Sequence, residues 1–158
     1  KSYFSYAEIE RQDYDFMPLS DEMKKRFPEG IPIINVHIQT DADLEEEKVS
    51  NSFKQAHDFF TTYFPEHPYK WFTCRTWMLY KPTQDILPNE SNIVLFANRF
   101  EIIAENKNTK QALDRIYGTS NMSEIETMKK TSSLAQLAYK NLDKLGVAAG
   151  VIPPLLKR

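Results

Sequence analysis

The sequence predicts a mixed α/β domain in which helices flank a central sheet, and three stretches carry that prediction. Between Ile31 and Gln39, the apolar Ile34, Val36 and Ile38 alternate with Asn35, His37 and Gln39, the period-two pattern of a strand with one polar face. Val49, Phe53, Ala56, Phe60 and Tyr63 recur at i, i+4, i+7, i+11 and i+14, a single helical stripe. Residues 71–80 and 147–152 are short apolar runs, as expected of strands covered on both faces.

Residues 1–30 mix Tyr3, Phe4, Tyr6, Tyr14 and Phe16 with charges and carry Pro18, Pro28 and Gly30. They read as an irregular or helical lead-in, with one short helix over 21–27 capped by Ser20. The strand 31–39 follows. A helix over 44–64 is expected next: Asp43 is an N-cap type, Glu46 stands at the capping-box spacing, and Pro65 and Pro68 end it. Phe60 lies central in its apolar stripe and is expected to anchor the core. Residues 71–80 form a central strand, after which Pro82 and Pro88 leave room for one helical turn at most. Ser91 caps a short helix through Asn98, and 100–105 returns as a strand. Thr109 caps a helix that turns Ala112, Leu113, Ile116 and Tyr117 inward and stops at Gly118. The polar segment 119–130 reads as loop or frayed helix. Leu134, Leu137, Ala138, Leu142 and Leu145 make a further stripe stopped by Gly146, and 147–152 is the last strand.

The chain has 158 residues, enough for one domain and too few for two of ordinary size. Charged residues make up 27% with a net charge of −2, and the signs are interspersed, so there is no electrostatic footprint for nucleic acid or an anionic membrane. Aromatic residues reach 13%, which predicts a core built on rings. One cysteine excludes an internal disulfide and a cysteine-rich zinc site. No apolar run approaches the roughly 20 residues of a membrane span, and a cytoplasmic setting is the expectation. The opening at Lys1, without methionine, suits a piece of a longer protein.

Several side chains carry chemistry. His37 is a candidate general base, a role imidazole side chains commonly take, and the alternative is a strand histidine bonded to Asn35 or to a nearby carbonyl. Cys74 is either a nucleophile or, as a buried free cysteine, a small hydrophobe. Trp77 either walls a ligand pocket or fills core. Ser91 and Asn92 suit a helix cap, and Asn92 can also hydrogen-bond a ligand. His57 and His67 form no metal set with His37, and solvent or partial burial accounts for both.

The run Leu87, Pro88, Ser91, Asn92, Ile93 is similar to a Leu-Pro-x-x-Ser-Asn-Ile motif, and Cys74, Thr76, Trp77, Met78, Leu79 to Cys-x-Ser-Trp-Leu-Leu. Both motifs, with the order strand, long helix, strand, short helix, strand, resemble the GNAT-like C-terminal domain of bacterial acyltransferase domain-containing proteins. The resemblance implies a GNAT-like mixed sheet in which the strand 31–39 splays from the strand 71–80. The pantetheine arm of acyl-CoA or acetyl-CoA would lie in the gap, with its pyrophosphate at the start of the helix 44–64. It implies acyl transfer from CoA to an amine, assisted by His37 or, through water, by Glu101. Asn35, Gln39, Cys74, Thr76, Trp77 and Asn92 would contact the ligand, and no metal is called for. The family's glycine-bearing phosphate loop is replaced by Gln39, Thr40, Asp41, Ala42 and Asp43, which cannot curl around a phosphate as glycine allows and carries two carboxylates. That departure keeps a second function open: a catalytically silent module that binds a ligand or partner. The expected partners are a small-molecule substrate or an N-terminal companion domain.

Overall fold

The computed structural model describes residues 2–10 and 19–154. Tyr14, Phe16 and Pro18 of the lead-in lie outside the described residues. Five strands form one sheet: β1 (Ser2–Tyr3), β2 (Pro32–Asn35), β3 (Trp71–Thr76), β4 (Glu101–Asn106) and β5 (Val147–Ile152), ordered β1-β2-β3-β5-β4. β2 and β3 run parallel and the other pairs are antiparallel. A parallel pair needs a crossover, here the helix α3 (Glu46–Tyr63).

The last strand in sequence is inserted between β3 and β4. Its residues Val147–Val151 are all buried, which the small apolar run predicts. Smallness matters here: a Cβ on Gly150 would stand 2.9 Å from Phe100 Cβ and 3.0 Å from Leu79 Cδ1. Three apolar clusters make up the core. One joins Ile34, Phe72 and Cys74 of the sheet to Val49 and Phe53 of α3 and to Phe96 and Phe100. A second, on the other face, joins Phe4, Phe27, Ile33, Ala149 and Val151. The third gathers Trp77 with α6 (Lys110–Tyr117), α7 (Met122–Thr127) and α8 (Ser133–Lys140).

The helix boundaries show how local chemistry corrects a sequence reading. Ser20 and Ser91 cap as expected, accepting from Met23 N–H above α2 (Asp21–Arg26) and from Val94 N–H above α5 (Asn92–Ala97). Asp43 does not cap α3. The N-cap is Glu45 without a side-chain bond, and Asp43 Oδ1 accepts the Glu45 N–H at 3.0 Å, forming a separate turn just ahead of the helix. Thr109 caps by position only; Asn108 Oδ1 receives the Lys110 N–H at 2.9 Å instead. Gly118 ends α6 at φ 76°, a backbone state that glycine adopts without strain.

β2 stops at Asn35 rather than Gln39, because its ladder partners end there (see below). β3 stops at Thr76, whose hydroxyl accepts the Met78 N–H at 3.4 Å and turns Trp77–Leu79 into a 3-10 turn. The space between Pro82 and Pro88 holds α4 (Lys81–Ile86), longer than the single turn expected, since Pro82 sits in the first turn where no N–H is missed. The polar segment 119–130 contains α7, capped by Asn121 and pinned by Ile125, which is 0% exposed. The stripe ending at Leu145 is α8 followed by a 3-10 turn at Leu142–Lys144. The lead-in supplies β1 and a short helix α1 (Tyr6–Glu10). Among the described residues no helix is long and apolar enough to cross a membrane.

On α3 only Val49 and Phe53 are buried, and Phe60 is half-buried. The anchor is therefore Phe53, whose ring meets Phe72 at 4.9 Å. Phe53→Ala is expected to lower stability by about 3–5 kcal/mol and Phe60→Ala by less than about 2 kcal/mol. Urea unfolding of the two variants checks the order; equal losses would show the helix face to be assigned wrongly.

Candidate functional site

The site begins where the parallel ladder ends. β2 and β3 are in register at Ile33↔Trp71, Ile34↔Phe72 and Asn35↔Thr73. The Val36 N–H still donates to the Thr73 carbonyl at 2.7 Å. Beyond it the two chains part, and a cavity of about 520 Å³ opens between them. One wall is the strap 36–44 and the other is Cys74–Met78. Asn92 and Ile93 of α5, Gln111 and Arg115 of α6, and Leu134 of α8 close it.

Of the residues expected from sequence, His37, Gln39, Cys74, Thr76, Trp77 and Asn92 all line this groove. His37, Gln39 and Asn92 are exposed; Cys74, Thr76 and Trp77 are buried. Asn35 stands at the apex, where its Oδ1 accepts the Thr73 hydroxyl at 2.7 Å. It closes the fork rather than facing the groove's walls. Glu101 is not brought here. It lies on β4, and Arg26 from α2 holds it with bonds of 2.5 and 2.8 Å, which keeps its carboxyl below the ordinary carboxylate range.

Cys74 is 4% exposed, and burial pushes its thiol up to about 12. A thiol protonated at neutral pH is no nucleophile, so Cys74 acts as a small apolar wall. Arg75, on the same strand, donates instead to the Glu8 carbonyl. Trp77 serves as both core and wall: it is 3% exposed within the α6–α8 cluster, and its backbone N–H donates to Gln111 Oε1 at 2.7 Å.

Two residues that the sequence reading passed over complete the site. Gln111 holds the Trp77 backbone, and Arg115 Nη1 donates to Thr40 Oγ1 at 3.2 Å, reaching from α6 to the strap. Their spacing was a usable signal, since residues four apart share one helix face. At the strap's far end Asp43 is held below its ordinary range by the Lys48 ammonium first and by the Glu45 N–H second. With Glu46 and Glu47 in the first turn of α3, the positive end of that helix is already met by carboxylates.

The other histidines sit apart from the groove. His57 Nδ1 is 2.7 Å from the Tyr69 hydroxyl. His67, expected to be at least partly solvated, is 2% exposed and bonds the Ile33 carbonyl through Nε2 at 3.0 Å. Among the described residues no group of three metal-ligating side chains occurs.

A parallel pair that forks above its crossover helix, followed by an antiparallel insertion of the final strand, defines the C-terminal half of a GNAT-type α/β fold. The chain belongs to the GNAT-like C-terminal domain family, whose profile matches residues 7–152. Among solved structures, an acyltransferase in complex with decanoyl-CoA superposes with a TM-score of 0.72 at 18% identity, over 89% of this chain and 43% of its own. An acyltransferase mutant in complex with octanoyl-CoA gives 0.70 at 20% identity, over 80% and 42%. A complex of an acyltransferase with decanoyl-CoA and teicoplanin gives 0.70 at 19%, over 89% and 44%. The chain thus spans less than half the length of these acyltransferases, and at such identities the likeness is one of fold. No curated protein matches the sequence.

Burial of Cys74 and Tyr69 has a direct pH consequence. Their ordinary values of 9.0 and 10.0 both rise to about 12 in the fold. Raised values favour the protonated form, so the stability they contribute is fully present below about 9 and is lost as pH climbs towards about 12. Unfolding measured from pH 8 to 11 is expected to show falling stability, and a Cys74→Ala variant a shallower fall. Iodoacetamide is expected to label Cys74 at pH 8 only after denaturation; labelling of the native chain would overturn its assignment as an inert wall.

Proposed function

We propose that the chain is the acyl-donor half of an acyltransferase, with the groove between the strap 36–44 and Cys74–Met78 taking the pantetheine arm of an acyl-CoA. The parting of two parallel strands is the observation that carries this reading. A flexible arm bearing amide groups fits a slot whose two walls are strand edges, since those edges carry backbone donors and acceptors. The bound acyl-CoA of the similarly folded acyltransferases supports the same reading.

In this reading His37 accepts the proton of an acceptor amine as its nitrogen attacks the thioester carbonyl. The C–N bond forms, the C–S bond breaks, and His37 returns the proton to the departing thiolate. Glu101 takes no part, because Arg26 holds it outside the groove. Asn92 and Gln39 are placed to hydrogen-bond the arm. Arg115, at the rim beside Thr40, is the cation best placed for the phosphates, while Asp41 and Asp43 oppose them. CoA affinity in the high-micromolar range is the consequence.

The acidic strap also favours a second reading, a silent ligand- or partner-binding module. Acyl transfer assayed with a panel of amines separates the two. Under the enzyme reading His37→Ala lowers turnover about 10²–10⁴-fold and leaves CoA binding unchanged. Calorimetry supplies the other half: Arg115→Ala weakens CoA binding and Asp41→Gly strengthens it. Sub-micromolar CoA binding to the unaltered chain would show that the strap's charge is not the limit, and absence of any CoA binding would overturn the donor assignment.

A further inference from the structure

The opening above the fork is lined from both faces of the sheet, and the two faces differ in chemistry. On one face, Val36 and Ile38 of the strap and Cys74 of β3 pack with the α3 cluster. Successive residues of an extended chain point to opposite faces, so His37 and Arg75, which also line the opening, stand on the face away from that cluster. Register makes them a pair. Asn35 and Thr73 are partners in the ladder and share a side-chain bond of 2.7 Å. Two residues further along each chain come His37 and Arg75, one on either side of the gap, and both are exposed. Arg75 Nη1 donates to the Glu8 carbonyl of α1. That bond anchors the guanidinium at the edge of the opening and uses one of the five N–H donors such a group carries.

We infer that Arg75 sets specificity on the acceptor side, and that the acceptor is an amino acid or a similar small amine bearing a carboxylate. This rests on the enzyme reading of the groove, in which His37 takes the proton of the attacking amine. Paired strands lie about 4.8 Å apart, and the gap between His37 and Arg75 begins just past the last bond of such a pair. A small molecule lying across it meets the imidazole with its amine and the guanidinium with a group a few bonds away. The planar donors of a guanidinium match a carboxylate with two parallel bonds. Acylation turns the amine into a neutral amide: the C–N bond forms, the C–S bond breaks, and the proton passes through His37 to the thiolate. The carboxylate on Arg75 is unchanged throughout, so it serves recognition alone.

Acyl transfer by the intact chain, from acetyl-CoA and from octanoyl-CoA, tests it with matched acceptors: alanine against alaninamide, phenylalanine against phenylalaninamide, and O-phosphoethanolamine against ethanolamine. Each amino acid is expected to exceed its amide about 10- to 100-fold in kcat/KM, as a hydrogen-bonded charge pair allows. Basicity alone favours the amide, whose amine is the more readily deprotonated. Arg75→Gln, which keeps a donor for the Glu8 carbonyl, is expected to abolish the preference. Arg75→Lys is expected to keep part of it, as a point charge without the planar fork. The preference is a ratio taken within one preparation, so loss of folded protein does not move it. Equal rates for acid and amide in the unaltered chain, or a preference that survives Arg75→Gln, would overturn the inference and leave the enzyme reading standing. A preference confined to the phosphate pair would overturn the carboxylate assignment. Transfer to no amine at all would overturn the enzyme reading and this inference with it.

Discussion

The bond from Val36 N–H to the Thr73 carbonyl is the point on which the architecture turns. Up to it, β2 and β3 satisfy each other's backbone groups; past it, each strand presents donors and acceptors with no neighbouring strand between them. Backbone polar groups out of water require partners. A fold can therefore open a parallel pair only where solvent or a ligand replaces the ladder, and the opening is the place to look for chemistry. Asn35 and Thr73 reinforce the fork with a side-chain bond directly at its apex, so that it does not unzip further.

Opening one side of β3 shifts the task of fixing it onto the other side. There β5 pairs with β3 from Phe72↔Ile152 to Thr76↔Ala148 and with β4 on its far edge. Its Gly150 lets Leu79 of the Trp77–Leu79 turn and Phe100 approach the sheet closely. Gly146 does the same beside it, where a Cβ would come within 2.6 Å of the Tyr80 ring and of the Asn106 carbonyl. The groove's second wall is thus stiff because the strand behind it is small.

Much of this was legible in the sequence, for physical reasons. Val147–Ile152 could be read to the residue because a fully buried strand must be an apolar run, and Ser20 and Ser91 because their hydroxyls have one obvious local use. Asp43 was misread because its carboxylate had two local uses, a cap and a turn, and Lys48 and the Glu45 N–H decide between them. The end of β2 was illegible since alternation continues through Gln39 while pairing does not; side-chain pattern reports faces, not ladder partners. His37, Cys74 and Trp77 reach one groove because they flank the fork in sequence. Glu101 does not, because its ion pair with Arg26, 75 residues away, exists only in three dimensions.

The bond between Gln111 and the Trp77 backbone has a mechanical consequence. Arg115 rides on the same helix face, so α6 touches both jaws of the groove, the Trp77 backbone through Gln111 and Thr40 of the strap through Arg115. Lengthening or shortening the side chain at position 111 would therefore be felt on the Trp77 side of the groove, one helical turn away from the cation that meets the strap.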